Sequence, residues 1–378
     1  MVPLLNIGID FGAKNIDVKA GINDQTPVTF SFPAVTSPLE NFRSKTGAYH
    51  RKAILQPFRV MFGFTALKSH FPRHSMTKSV YYAANPPEGA TGKALISDHV
   101  QGIFWSAVAE ALRRLKFKES TVNVNATFGI PSAHYKDEAL VNLLEKGMAG
   151  AETVEYDTHH PYKCTVVNFT VETQPYAGGV LTQYIRLTNG EYHEDASILK
   201  QRIGIGGTGS FTCDATVVEP QDGVLITTAD EALPRGGLWS IEEDWRRVLR
   251  REYGGIFDDW TRWKLFDLFE TATYNKPNDL ADLKREVLEE KIPQIIGFFY
   301  SVFGNGSDFN KLIFFGRGML DDTMRNAIFD AYQKTVRDTR GHLELLIVND
   351  DEGREIPDVA VAEGLYKLAI AIWLGSQK

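Results

Sequence analysis

Cysteine is scarce in this chain. The two present, Cys164 and Cys213, lie far apart with no CxxC pair and no companion histidine spacing. That excludes a disulfide framework, gives no zinc pattern, and predicts a reducing, cytoplasmic setting. Long apolar runs are also missing. The opening stretch MVPLLNIGID is broken by Asn6 and Asp10 and has no basic start, so neither a signal peptide nor a membrane span is expected there. KLAIAIWLG near the end is too short for an anchor and reads as a buried helix end. Positive charge is not in excess: 41 Lys and Arg against 48 Asp and Glu give a formal net charge of −7, which argues against a general polyanion binder. No low-complexity tract occurs, and 43% hydrophobic with 24% charged residues is the composition of an ordinary globular protein. At 378 residues the chain exceeds the size at which one core stops growing, so two domains are expected.

Glycine is where the sequence speaks. Three glycine turns follow short apolar runs: NIGIDFGAKNIDVKAG (Asn6 to Gly21), LKQRIGIGGTGSFTCDATVV (Leu199 to Val218) and NKLIFFGRGMLDD (Asn310 to Asp322). Each offers bare backbone amides to a phosphate or a purine. Strand follows the first two and helix the third, an order that points to one nucleotide held between two domains.

The remaining pattern places these turns. Residues 4 to 32 alternate and read as two or three antiparallel strands, with the turn at Asp10 to Asn15. Residues 40 to 90 read as a mixed, irregular subdomain. Val100, Ile103, Phe104, Val108, Leu112 and Leu115 fall at helical spacing over 98 to 116. A strand is expected at Ser120 to Pro131, one helix over HYKDEALVNLLEKGMAG, a hairpin from Thr153 to Thr173, and a small-residue helix from Pro175 to Gly179. The second half reads as a hairpin, a strand near Gly223 to Thr228, and helices at 240 to 253, 258 to 272 and 280 to 303. The first of these is opened by Ser240 and Glu243 as a capping box. A strand at Leu312 to Phe315 precedes a helix from Asp322 to Arg337. The last helix, Val359 to Leu374, is expected to pack back on the first half.

Asp10 ends an apolar strand beside a bare turn, where a carboxylate can hold Mg2+ through water; an ordinary solvated hairpin turn is the alternative. Gly204, Gly206 and Gly209 formally match GxGxxG, but the following Ser210 to Val218 alternates as a strand, and the dinucleotide fingerprint must open a helix. A phosphate-binding hairpin survives that test. At Gly316-Arg317-Gly318 the backbone can pass under a purine or ribose and Arg317 can stack or reach a phosphate, against the alternative of a plain strand-to-helix junction.

Taken together, the order of these turns resembles the phosphate 1, phosphate 2 and adenosine motifs of the actin, heat-shock chaperone and sugar-kinase superfamily, and within it the ParM/StbA-type plasmid-segregation proteins. The resemblance runs from Asn6 to Leu374. Asp10, Gly12, Asn15 and Ile16 sit where that family carries D-x-G-x-x-N-I, and Phe128-Gly129-Ile130-Pro131 resembles its strand end. It implies an α/β, two-domain actin-like (ribonuclease H-like) fold with the nucleotide in the interdomain cleft, domain I at 1–185 plus 357–378 and domain II at 186–356. It further implies an ATPase using ATP or GTP with Mg2+. Asp10 is the implied metal residue and, with Gln174 as the water-orienting residue before a small helix, the implied catalytic pair. Gly12, Ala13, Lys14 and Asn15, then Gly206, Gly207 and Thr208, would hold the phosphates, and Gly316, Arg317, Gly318 and Met319 the nucleoside. Implied partners are further copies of the chain in a filament and a DNA-binding adaptor of ParR type on centromere-like DNA, with DNA contact indirect and no membrane involved.

One departure stands out. The family's second hairpin reads D-x-G-G-T-T-x-D; matched on Gly-Gly-Thr, Gly204 replaces the first Asp, Phe211 lies near the second, and Asp214 is a candidate substitute. Two rival classes follow: a small-molecule kinase with Asp137 or Asp214 as base, and a non-hydrolysing actin-like scaffold. His159-His160 reads as a surface turn, Trp239, Trp245, Trp260 and Trp263 as core or interface anchors, and Phe298, Phe299, Tyr300 and Phe303 as core. Arg246-Arg247 with Arg250-Arg251 reads as a solvated face.

Overall fold

The computed structural model describes residues 2–12, 14–22, 25–38, 52–55, 59–62, 73–74, 98–148, 153–156, 162–183, 185–188, 191–194, 197–209, 212–222, 224–233, 236–237, 241–260, 262–338 and 342–376. The chain divides into two compact units, residues 1–195 with 359–378, and residues 196–358. Ala13, His159, His160, Trp239 and most of residues 40 to 90 lie outside the described residues.

In the first unit β1 (Leu4–Phe11), β2 (Asn15–Ile22) and β3 (Val28–Pro33) form an antiparallel meander. Short strands β4 (Val35–Pro38), β5 (Lys52–Leu55), β6 (Arg59–Phe62) and β7 (Arg73–His74) follow. Next come helix α1 (Asp98–Arg114) and strand β8 (Thr121–Ile130), then α2 (Ser132–Tyr135), α3 (Glu138–Gly147), β9 (Thr153–Tyr156), β10 (Tyr162–Pro175) and α4 (Tyr176–Thr182). Among the described residues the sheet order is β3-β2-β1-β8-β10-β9-β5-β6-β4-β7, with β1, β8 and β10 parallel. Leu5, Ile7, Ile9 and Phe11 alternate onto one face and are buried with the predicted stripe Val100, Ile103, Phe104, Val108 and Leu112 of α1.

The helix expected over 134 to 150 is two helices. Lys136 and Asp137 break it, and the Asp137 carboxylate caps α3 by accepting from Leu140 N–H at 3.1 Å, so the signal was an N-cap followed by Glu138 in the first turn. The strands β11 (Ile185–Thr188) and β12 (Glu191–Glu194) pair as a separate ribbon.

The second unit repeats the central topology. Strands β13 (Ile203–Thr208), β14 (Cys213–Gln221) and β15 (Val224–Leu233) form the meander, and β16 (Lys311–Phe315) and β17 (Glu344–Ile347) add in parallel, in the order β15-β14-β13-β16-β17. Helices α5 (Glu242–Tyr253), α6 (Arg262–Thr271), α7 (Ala281–Phe303) and α8 (Asp322–Asp338) surround it. The N-cap of α5 is Ile241, with no side-chain cap; Ser240 of the expected capping box lies outside the described residues. Phe299 and Phe303 of α7 are buried, whereas Tyr300 is 38% exposed. The arginines of α5 pair with carboxylates, Arg251 with Glu286 at 2.7 Å and Arg247 with Glu290 at 2.8 Å, as an exposed, salt-screened face does.

Helix α9 (Ala360–Ser376) belongs to the first unit and lies on the sheet face opposite α1. Glycines admit it. A Cβ on Gly129 would come within 2.7 Å of Leu365 Cδ1, and one on Gly364 would fall inside the Gly179 carbonyl oxygen of α4. Polar pairs complete the layer: Lys19 with Glu363, Asn125 Nδ2 to the carbonyl of Ala369, and Thr170 Oγ1 to Asn125 Oδ1 at 2.9 Å. Among the described residues no helix is long and apolar enough to cross a membrane.

Candidate functional site

The first hairpin closes on the rung Phe11↔Ile16, and the next rung sets Asp10 directly opposite Asp17. Two facing carboxylates repel, an arrangement that a cation would relieve. Asp17, only 5% exposed, drew no notice in the sequence, where it is one more polar residue of an alternating strand. Gly12 is required by space, since a Cβ there would sit 2.5 Å from the carbonyl oxygen of Asn15. Lys14 is buried at 3% exposure, its carbonyl accepting from Ala34 N–H at 2.7 Å, and Asn15 opens β2 half-buried. Tyr176, the first residue of α4, donates its hydroxyl to the Phe11 carbonyl at 2.7 Å, tying that helix to the hairpin.

Asp10 and Gln174 share a row. Both are register partners of Gly129, Asp10 from β1 on one side and Gln174 from β10 on the other. Across two strand spacings their Cα atoms are about 10 Å apart, and partners in a parallel row point to the same face. Gly129 lies between them in that row, its open side covered by Leu365 and Val361 of α9. The Gln174 amide donates from Nε2 to Glu172 Oε1 at 2.7 Å.

The second hairpin corrects the motif frame. Gly204, Gly206, Gly207 and Thr208 are not in the turn but in β13, paired with β14 along its length and, up to Gly207, with β16. The hairpin closes on Thr208↔Cys213, with Gly209 N–H donating to the Thr212 carbonyl at 3.0 Å. The next rung is Gly207↔Asp214, the counterpart of Asp10↔Asp17. Counted this way, the D-to-D spacing of the family pattern falls on Gly207 and Asp214 rather than on Gly204 and Phe211. Gly204 instead faces the apolar layer: a Cβ there would lie 2.5 Å from Leu312 Cδ2 and 3.1 Å from Phe303 Cδ1.

Asp214 is the one strongly perturbed carboxyl of this hairpin. Burial pushes it up to about 6, opposed by the hydrogen bond from Thr212 and reinforced by the charge of Asp230. Its Oδ2 accepts from Thr212 Oγ1 at 3.0 Å, while Oδ1 is buried with no hydrogen-bond partner among the described residues. A buried acceptor of this kind fits a missing donor or cation.

The third turn packs on the second hairpin within the same unit. Gly316 holds φ +94° and its N–H donates to the Pro357 carbonyl at 2.7 Å; a Cβ there would meet the Thr208 carbonyl oxygen at 2.5 Å. A Cβ on Gly318 would lie 2.6 Å from Thr208 Oγ1, which donates to the Phe315 carbonyl at 3.3 Å. Arg317 stands 4.0 Å from Glu270, and Lys284 pairs with Asp321 at 2.7 Å beside it. The Met319 side chain is fully buried, a packing residue of the turn.

The donor set suits Mg2+ and phosphate. Among the described residues no three His, Cys, Asp or Glu side chains cluster as metal ligands, and carboxylates taken in ones and twos are what a cation that keeps most of its waters uses. Bare turns beside them suit phosphate oxygens. Asp137, the other acid considered as a kinase base, caps α3 through one carboxylate oxygen.

No family model and no curated protein matches the sequence. The fold, however, is similar over nearly its whole length to a non-polymerisable quadruple mutant of pCBH ParM, with 17% identity, 99% of this chain and 100% of that chain covered, and a TM-score of 0.62. An archaeal actin homolog gives 15% identity, 98% and 100% coverage and a TM-score of 0.63. Bacillus thuringiensis ParM with ATP gives 14%, 98% and 99%, and 0.59. The chain therefore has a two-domain, actin-like α/β fold of the ParM type.

Proposed function

We propose, with the actin-like fold as premise, that this chain binds a nucleoside triphosphate with Mg2+ at its carboxylate-bearing hairpins and assembles with further copies of itself into filaments. The observation that carries this is the repeated second rung, which in each unit sets a carboxylate on the return strand beside the turn, Asp17 in one and Asp214 in the other. Asp10, Asp17 and Asp214 would hold Mg2+ through its waters. The turns after Phe11 and after Thr208 would take the phosphates, and Gly316 to Gly318 the nucleoside, ATP or GTP. A similar ParM fold solved with ATP supports the same use here.

Hydrolysis assigns Gln174 the orientation of the attacking water, on the same sheet row as Asp10. Loss of the γ-phosphate removes contacts from one side of the nucleotide and shifts the conformational populations. A head-to-tail contact that does not close yields an open filament. In a plasmid-segregation role such a filament would engage a basic DNA-binding adaptor, to which the net charge of −7 is suited. Gly207, where the first hairpin has Asp10, predicts slow hydrolysis.

The test is assembly. Light scattering and pelleting with Mg2+ and ATP, GTP, ADP or no nucleotide should show polymer with triphosphate that decays as phosphate is released. Polymer with triphosphate but intact nucleotide would make the chain a non-hydrolysing scaffold. Nucleotide bound without polymer under any condition would sink the filament reading.

A further inference from the structure

Gln174 can serve a reacting water in only one of its two amide orientations. A side-chain amide is a carbonyl acceptor at one end and an NH2 donor at the other, and a water about to attack a phosphate must give up a proton, so it needs the acceptor. Turned over, the same side chain would offer N–H groups and hold the water wrongly. Nothing in Gln174 itself decides between the two.

Glu172 decides it. Residues i and i+2 of a strand share a face, and Gln174 Nε2 donates to Glu172 Oε1 at 2.7 Å. A carboxylate accepts only, so the NH2 end must face Glu172 and Oε1 must point away. Oε1 then lies toward the first turn of α4, where Gly178 leaves it room: a Cβ at Gly178 would stand 3.2 Å from it. Among the described residues no protein donor reaches Oε1, and Glu172 makes no other hydrogen bond or ion pair. The strand itself is anchored here, since Glu145 of α3 accepts from Thr173 N–H at 2.9 Å. Burial, then the charges of Glu172 and Glu145, pushes the Tyr135 hydroxyl up.

We propose that Glu172 is a positioning residue for nucleotide hydrolysis: it fixes the Gln174 amide with its carbonyl oxygen presented to the attacking water. The inference rests on the hydrolytic reading above and adds a residue to it. Glu172 touches neither water nor nucleotide in this scheme and acts only through Gln174.

The experiment compares wild type, Glu172→Leu, Glu172→Gln, Gln174→Ala and the Glu172→Leu/Gln174→Ala double variant. Phosphate release per assembled subunit is read together with ATP affinity and assembly on the non-hydrolysable analogue AMPPNP. Glu172→Leu should slow release about 10- to 100-fold, the scale of a mispositioned catalytic group, with affinity and AMPPNP assembly unchanged. Glu172→Gln, whose amide can donate as well as accept and so no longer fixes which end of Gln174 faces it, should fall between Glu172→Leu and wild type. The double variant should be no slower than Gln174→Ala alone, because residues acting as one unit are not additive. Wild-type release with an unchanged Glu172→Leu rate, or effects that multiply in the double variant, would overturn this inference alone. No release from wild type would overturn the hydrolytic reading and this inference with it.

Discussion

Gly204→Asp is expected to destabilise the second unit by about 5 kcal/mol or more, although aspartate is what the resembling family carries there when chains are matched on Gly-Gly-Thr. The position points into the apolar layer. Its Cβ would lie 2.5 Å from Leu312 Cδ2 and 3.1 Å from the Phe303 ring, and the carboxylate beyond it would be buried with no donor, which costs several kcal/mol even after relaxation. Urea unfolding followed by the fluorescence of Trp245, buried and edge-on to Phe269 at 5.3 Å, reports on this unit. Gly297→Ala is the control, since its Cβ meets nothing within 4 Å on α7, and it should gain up to about 1 kcal/mol in helix propensity. A Gly204→Asp variant as stable as wild type, with faster hydrolysis, would restore the frame that the strand register rejects.

Asp214→Asn is expected to stabilise the nucleotide-free protein above pH 6 by about 1 to 3 kcal/mol and to flatten its stability between pH 4 and 6. Burial holds the Asp214 carboxyl at about 6 in the fold against an ordinary 3.8, despite the hydrogen bond from Thr212 and with help from Asp230. Between those values the folded protein keeps a proton that the unfolded chain has lost. The fold binds more protons, so its stability falls as pH rises through this window and stays low above it. The gap amounts to about 3 kcal/mol. Asparagine cannot ionise and keeps an acceptor for Thr212, so the loss disappears. With Mg2+ and nucleotide the preference reverses, because a cation favours the ionised form, and the variant should bind more weakly. Denaturation midpoints from pH 4 to 8 decide it; identical profiles for variant and wild type would contradict the burial of a charge at this site.

The topology was largely legible because it is written in alternation. Ile7, Ile9 and Phe11 against Asn6, Gly8 and Asp10 show a strand with one apolar face, and the β-branched run after Gly209 excluded a helix after the second turn. Register was not legible. Gly-Gly-Thr attracted the family pattern to Gly204, but strand pairing with the neighbouring β14 and with β16, far along the chain, puts the turn three residues later. Asp17 emerges opposite Asp10 only when opposing strands are laid together, and the same pairing gives Asp214, already a candidate in the sequence, its rung opposite Gly207. Glu172 was visible in principle, two residues before Gln174 on an expected strand, yet a lone Glu in a polar stretch carries no signal until its hydrogen bond is seen.

Isothermal titration of the purified protein with ATP in the presence and absence of Mg2+ tests the central claim most directly. The carboxylate-bearing hairpins predict ATP binding with affinity that drops when Mg2+ is chelated and drops again in Asp10→Asn. Absence of binding at millimolar ATP with Mg2+, or binding indifferent to Mg2+ and to Asp10, would contradict it.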